Sequence, residues 1–202
     1  MRAIFATVLP ALFLLPLAPS AQAAATDPAA GQVEALTAAL DKAMSAGPAL
    51  SMVERYRNLE PVVERVFALP LMTRIAVGPE WTKFSPDEQK AVVGAFTRYT
   101  VANYARNFRA SDGTKFEIDD SVASRGQDKI VRVRLILPHD APVSLLYRLH
   151  EVEGAWKVVD VYANGVSELN LRRTDFAAAL ASGGVPELIA HLNKLSDELM
   201  KP

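Results

Sequence analysis

The sequence predicts an α+β fold in which a curved antiparallel sheet of about four strands packs against a helical layer. Three observations carry this. Apolar residues recur at helical spacing as far as about residue 107, four segments between 115 and 162 then alternate apolar with polar residues, and helical spacing returns from Arg173. Helices first, sheet second and helices last place the helices on one face of an antiparallel meander. Regular alternation of helix and strand would instead have asked for a parallel sheet.

The first element is a leader. Arg2 supplies a positive start, Ala3 to Leu17 is an apolar run, and Ala21-Gln22-Ala23 has the small-x-small pattern of a cleavage site. A signal peptide over residues 1–23 is expected, followed by one domain over residues 24–202. The apolar run falls short of the roughly 20 residues of a spanning helix, and Pro10 and Pro16 interrupt it. The chain contains no cysteine, so lipoprotein anchoring, disulfides, thiolate metal sites and cysteine nucleophiles are all excluded. An exported domain without disulfides must be held by its core. Lys and Arg number 22 against 23 Asp and Glu, with no basic block, which argues against a nucleic-acid partner.

After a small and polar stretch from Ala24 to Gly31, Val33, Leu36, Leu40 and Met44 predict a helix to about Ala46, ended by Gly47-Pro48. Ser51 with Glu54 is a capping box that opens a second helix toward Asn58, and Pro61 marks another start. Leu71 to Val77 is a short apolar helix stopped by Gly78-Pro79. Ser85-Pro86-Asp87-Glu88 combines a cap, a proline at the first helical position and a closing acid, and its helix extends to about Asn107. Strands follow at Lys115–Asp119, Ile130–Leu137, Val143–His150 and Ala155–Tyr162, with turns at Pro138-His139-Asp140 and Glu153-Gly154. Two helices close the chain, Arg173–Ala181 and Pro186–Met200.

Little in the sequence points to catalysis. His139, His150 and His191 lack a second ligand at metal-binding spacing, so no metal and no cofactor is expected. Gly165-Val166-Ser167 lacks the second glycine of a nucleophile elbow, and a turn followed by a helix-capping serine accounts for it. The order of elements suggests a cone-shaped fold of the kind that ketosteroid-isomerase-like enzymes use, with a tyrosine donor and an aspartate base. Tyr147 and Asp160, on neighbouring strands, are the pair that would serve such an enzyme. The apolar supply on the inward faces fits a filled core and a cavity equally well.

An ordered set of residues then narrows the field. Val77-Gly78-Pro79-Glu80-Trp81 precedes Pro86-Asp87-Glu88-Gln89, with Phe96 and Tyr104 downstream. Pro142-Val143, Tyr147-Arg148, Gly154-Ala155-Trp156-Lys157-Val158, Asp160-Val161, Gly165-Val166-Ser167, Arg173, Phe176 and Gly183 to Ile189 complete it. From Leu69 to about Leu195 the chain resembles the periplasmic MlaC family, also called toluene-tolerance auxiliary proteins. Arg172 stands where that family carries a tyrosine. Leu69-Pro70-Leu71-Met72 and the run from Arg98 to Tyr104 look more like its HpnM branch, associated with hopanoid biosynthesis.

The resemblance implies an NTF2-like or MlaC-like fold enclosing an apolar cavity, and a periplasmic carrier rather than an enzyme. Its cargo would be phospholipid or hopanoid. Its partners would be an inner-membrane lipid transporter and an outer-membrane lipid complex, in the upkeep of outer-membrane lipid asymmetry. The expected cavity wall comprises Phe67, Leu71, Ile75, Phe96 and Tyr99 from helices. From the strands it takes Val133, Leu135, Leu145, Tyr147, Trp156 and Val158, with Arg172 and Arg173 meeting a headgroup or a partner. A cargo-free adaptor of a membrane lipid transporter and the small-molecule enzyme are the competing readings.

Overall fold

Helix α1 (Pro28–Ser45) starts earlier than the sequence suggests, because Asp27 caps it and Pro28 takes its first position. The Asp27 carboxylate accepts from the amide of Ala29 at 2.8 Å and from Lys129 Nζ at 2.6 Å, tying the start of the helix to the sheet. That lysine holds the Asp27 carboxyl below its usual range. The computed structural model describes residues 27–109 and 113–201, so the expected leader lies outside the described residues.

Ser51 and Glu54 close their capping box as expected, but α2 (Met52–Val66) does not stop near Asn58. It continues through Pro61, which sits on the exposed side one turn after the equally exposed Arg57. The carbonyl that Pro61 leaves without a donor therefore faces water, and the helix survives. After α2, Phe67 bridges to Val158 and the amide of Ala68 donates to the Val158 carbonyl at 2.9 Å. This short link seats α3 (Leu69–Val77) against the sheet. Helix α4 (Pro86–Asn107) opens on the Ser85–Glu88 box. Gln89 braces the turn before it, donating to the carbonyls of Trp81 and Phe84 at 3.2 Å each.

The sheet is a meander in the order β1 (Lys115–Arg125), β2 (Asp128–Ile136), β3 (Val143–Val152), β4 (Ala155–Ala163) and β5 (Val166–Ser167). Every pairing is antiparallel. Val131, Tyr147 and Val161 stand opposite one another across three strands, as do Val133, Leu145 and Ala163. The register slips between Arg148 and Leu149 against β4, so Val158, Val159 and Asp160 are all buried where a regular strand would alternate. The fifth strand, absent from the sequence reading, follows Asn164-Gly165. Both residues have positive φ there, the pairing that a tight two-residue hairpin turn prefers.

Helix α5 (Glu168–Leu199) is broken at Gly183 and Gly184, giving the two segments expected. The first begins at Glu168 rather than Arg173 because Ser167 caps it, its Oγ accepting from the amide of Asn170 at 3.0 Å. Among the described residues, no helix is long and apolar enough to cross a membrane.

The core lies between the helices and the inward face of the sheet. An aromatic row runs from Phe67 to Tyr104, Phe108 and Phe116 with centroids 5.5, 5.9 and 5.6 Å apart. Phe96 meets Phe176 edge-on at 5.5 Å. Val33, Leu36, Leu40, Val63, Leu188 and Leu192 are fully buried.

Candidate functional site

Helix α4 contributes the largest share of an apolar opening that reaches this interface. Phe96, Tyr99, Thr100, Asn103 and Tyr104 follow one another at i, i+3, i+4, i+7 and i+8, which places them on a single face. Phe67 and Met72 close one side of the opening, Val161 of β4 forms its floor, and Glu168, Leu169 and Arg172 from the first turns of α5 complete it. The enclosed space is about 110 Å³. That is smaller than the roughly 150 Å³ cavity that holds one benzene molecule.

The rim is polar and the depth apolar. The Arg172 guanidinium lies 5.2 Å from the centre of the Tyr99 ring and pairs with Asp175 at 2.8 Å. Only a fifth of its side chain is exposed. Burial pushes the Tyr99 hydroxyl above its usual range, and the nearby Arg172 charge partly offsets that.

Four of the residues expected from the sequence meet here: Phe67, Phe96, Tyr99 and Arg172. Arg173 does not line the opening, and its guanidinium lies beside Gly78. Leu71 is half-buried and Ile75 is 37% exposed, so α3 turns both away from the opening and presents Met72 instead. Val133, Leu145, Tyr147 and Val158 are buried in solid core, and Leu135 packs at its edge. Trp156 lies at the far end of the sheet under Lys129 Nζ, 4.7 Å from the ring centre. None of these six residues lines the opening.

Tyr147 is held by a partner from α4. It is fully buried with its hydroxyl bonded to that of Tyr104, and burial drives both phenols well above the usual tyrosine range. An unfolded tyrosine loses its proton near pH 10. Above that pH the unfolded chain binds fewer protons than the native one, so stability should fall by up to about 1.4 kcal/mol per pH unit for each of the two. The chain should unfold as tyrosinate absorbance rises, and Tyr147→Phe should flatten the slope. Equal slopes for both proteins would show that the pair does not govern alkaline stability.

The pair considered for catalysis is separated by its own partners. Asp160 accepts from Ser167 Oγ at 2.8 Å and from the amide of Leu169 at 3.2 Å, which makes it the anchor of the β5–α5 corner. Tyr147 stands opposite Val161 and turns to Tyr104. His150 meets Asp128 at 2.7 Å, where Arg148 also binds at 3.1 Å. Among the described residues, no group of three or more potential ligands is placed to hold a metal.

Met72, Thr100, Asn103, Tyr104, Val161, Glu168 and Leu169 line the opening without being among the wall residues expected from the sequence. The helical stripe on α4 was the available signal, since two of its members, Phe96 and Tyr99, had already been picked out.

Apolar walls under one rim guanidinium, on a meander sheet backed by helices, define a binding domain of the α+β class. The chain belongs to the MlaC protein family, whose model matches residues 34–194. It is also similar to a solved structure from Ralstonia solanacearum, with a TM-score of 0.73 and 20% identity over 89% of this chain and 100% of that one. That structure is described as a phospholipid-binding protein in complex with a phospholipid.

Proposed function

We propose that this protein is a periplasmic carrier that encloses the hydrocarbon of a membrane lipid and shuttles it between inner- and outer-membrane complexes. The observation that supports it most is the apolar opening between α4, α5 and β4, rimmed by Arg172, in a member of the MlaC family. The described function of the Ralstonia solanacearum protein supports phospholipid as cargo. The phrasing around Leu69 and Arg98 supports the HpnM branch, with hopanoid as the more specialised cargo. Residues 1–23 act as an export leader on this reading and residues 24–202 as the carrier domain.

The physical requirement is severe. Each methylene exposed to water costs about 0.8 kcal/mol, so two acyl chains of some 30 methylenes would cost on the order of 20 kcal/mol in transit. A space of about 110 Å³ cannot enclose them, so α4 and α5 must part from the sheet as cargo enters.

Native mass spectrometry of the purified mature protein, with extraction and identification of bound lipid, tests the reading. Stoichiometric phospholipid or hopanoid is the expected result. Protein that takes up neither on incubation with vesicles would reject it in favour of an adaptor or an enzyme. Arg172→Glu places an acid beside Asp175 and Glu168 at the rim. It should leave bound-lipid stoichiometry unchanged while slowing transfer between donor and acceptor vesicles several-fold, and an unaltered transfer rate would remove Arg172 from any headgroup or docking role.

A further inference from the structure

A second concavity, of about 600 Å³, lies where the end of α1 and the 3-10 turn Gly47–Ala49 meet the start of α2 and the end of the chain. Its walls are Leu50, Met52, Val53 and Met200, and Val53 is 49% exposed. Its only charged lining residues are Arg55 and Arg109. Arg55 is buried to 1% exposure, and its terminal nitrogens donate to four carbonyls, those of Ala43, Gly47, Leu50 and Phe108. Its Nε, equally buried, has no partner.

The electrostatics are unbalanced. Burial and the neighbouring Arg109 both weaken Arg55's hold on its proton, and among the described residues no carboxylate offsets them. Glu54 is adjacent in sequence but engaged elsewhere, accepting from the amide and hydroxyl of Ser51 at 3.0 and 2.6 Å. Carbonyls solvate a guanidinium without neutralising it, and two like charges beside an apolar wall favour a missing anion.

We infer that this groove is a second ligand site, for a single-chain anionic amphiphile. Its chain lies along Leu50, Met52, Val53 and Met200, and its carboxylate or phosphate sits at Arg109 above the buried Arg55. The volume falls within the range of small-ligand pockets, about 300–1,000 Å³. Charge and apolar surface select the occupant together. A neutral lipid leaves the arginines unbalanced, and a small anion leaves Val53 and its neighbours in water.

Calorimetric titration below micelle formation, with oleate, oleyl alcohol and acetate as probes, tests the assignment. Oleate should bind one per chain, while the alcohol and acetate bind far more weakly. Arg109→Gln, a change at an exposed side chain, should weaken oleate about tenfold to a hundredfold, as loss of a charge-assisted hydrogen bond does. Val53→Asp, an acid in the first turn of α2 where it suits the helix, should abolish binding. Equal affinity for oleate and oleyl alcohol would overturn the proposal, as would acetate binding as strongly as oleate or an Arg109→Gln variant that binds normally. Thr100→Phe, which fills the other opening, should leave oleate binding intact, and its loss there would place oleate in the α4–α5 opening instead. This assignment stands or falls apart from the carrier reading when all three probes are also titrated into Thr100→Phe, in which the α4–α5 opening is filled and this groove is left.

Discussion

Arg55→Met should lower the unfolding free energy by about 3–5 kcal/mol, a large fraction of the 5–15 kcal/mol typical of a domain. The guanidinium is the shared donor for carbonyls at Ala43 in the last turn of α1, at Gly47 and Leu50 around the 3-10 turn, and at Phe108 beyond α4. Helix ends leave such carbonyls without intrahelical donors, and their partial negative charge favours a cation. Replacing both partners of a buried ion pair by apolar groups is often nearly neutral. That route is closed here, because the acceptors are main chain and remain when the arginine goes, the Ala43 carbonyl fully buried and the others partly so. Arg55→Lys should recover only part of the loss, since a compact ammonium offers three donors and cannot span the fork's reach. Denaturant midpoints at unchanged slope measure both effects. A loss under about 1 kcal/mol for Arg55→Met would mean that water enters and satisfies the carbonyls instead.

Arg55 also shows why parts of this molecule could be read from the sequence and others could not. Both capping boxes, at Ser51 and Ser85, are local, and each forms as its four-residue pattern implies. The alternation of Val131 and Val133 against Arg132 and Arg134 is likewise local and sets the buried face of β2. Arg55 falls within a polar-looking run, and nothing nearby announces that its partners lie as far away as Phe108, 53 positions on. Pro61 departs from its expected role as a helix start for a similar reason. Whether a proline ends a helix depends on whether the orphaned carbonyl reaches water, which is decided by the side of α2 that packs.

The site divides along the same line. Phe96 and Tyr99 belong to a helical stripe and were found, whereas Val161 lines the opening through its place in a slipped register. Tyr147 shows the limit from the other side. It alternates as an inward residue should, but its hydroxyl partner Tyr104 comes from α4 and is set by the fold alone. The MlaC-family resemblance implied a cavity between the concave sheet face and the helices, and the opening formed by Phe96, Tyr99, Thr100 and Val161 is confined to the α4 and α5 end of that interface.

That confinement changes which substitution should empty the carrier. Val133, which the sequence placed in the wall, is 1% exposed and sits in packed core. A large residue there strains the fold and says nothing about cargo. Thr100 and Val161 both line the opening, and Thr100→Phe or Val161→Phe should reduce co-purified lipid at least tenfold while the protein stays folded. The energetics make this a demanding test. Enclosing some 30 methylenes releases on the order of 20 kcal/mol, enough to offset parting α4 and α5 from the sheet even though whole domains are held by only 5–15 kcal/mol. Lipid can therefore drive open a space that is about 110 Å³ in this structure, provided that its chains can begin to enter. A phenylalanine at position 100, stacked among Phe96, Tyr104 and Phe67, occupies the point of entry and adds contacts that hold the walls together. Ile75→Phe is the matched control, since Ile75 lies outside the opening and should leave lipid content unchanged. If Ile75→Phe removes the lipid and Thr100→Phe does not, hydrocarbon enters along the outer side of α3 instead.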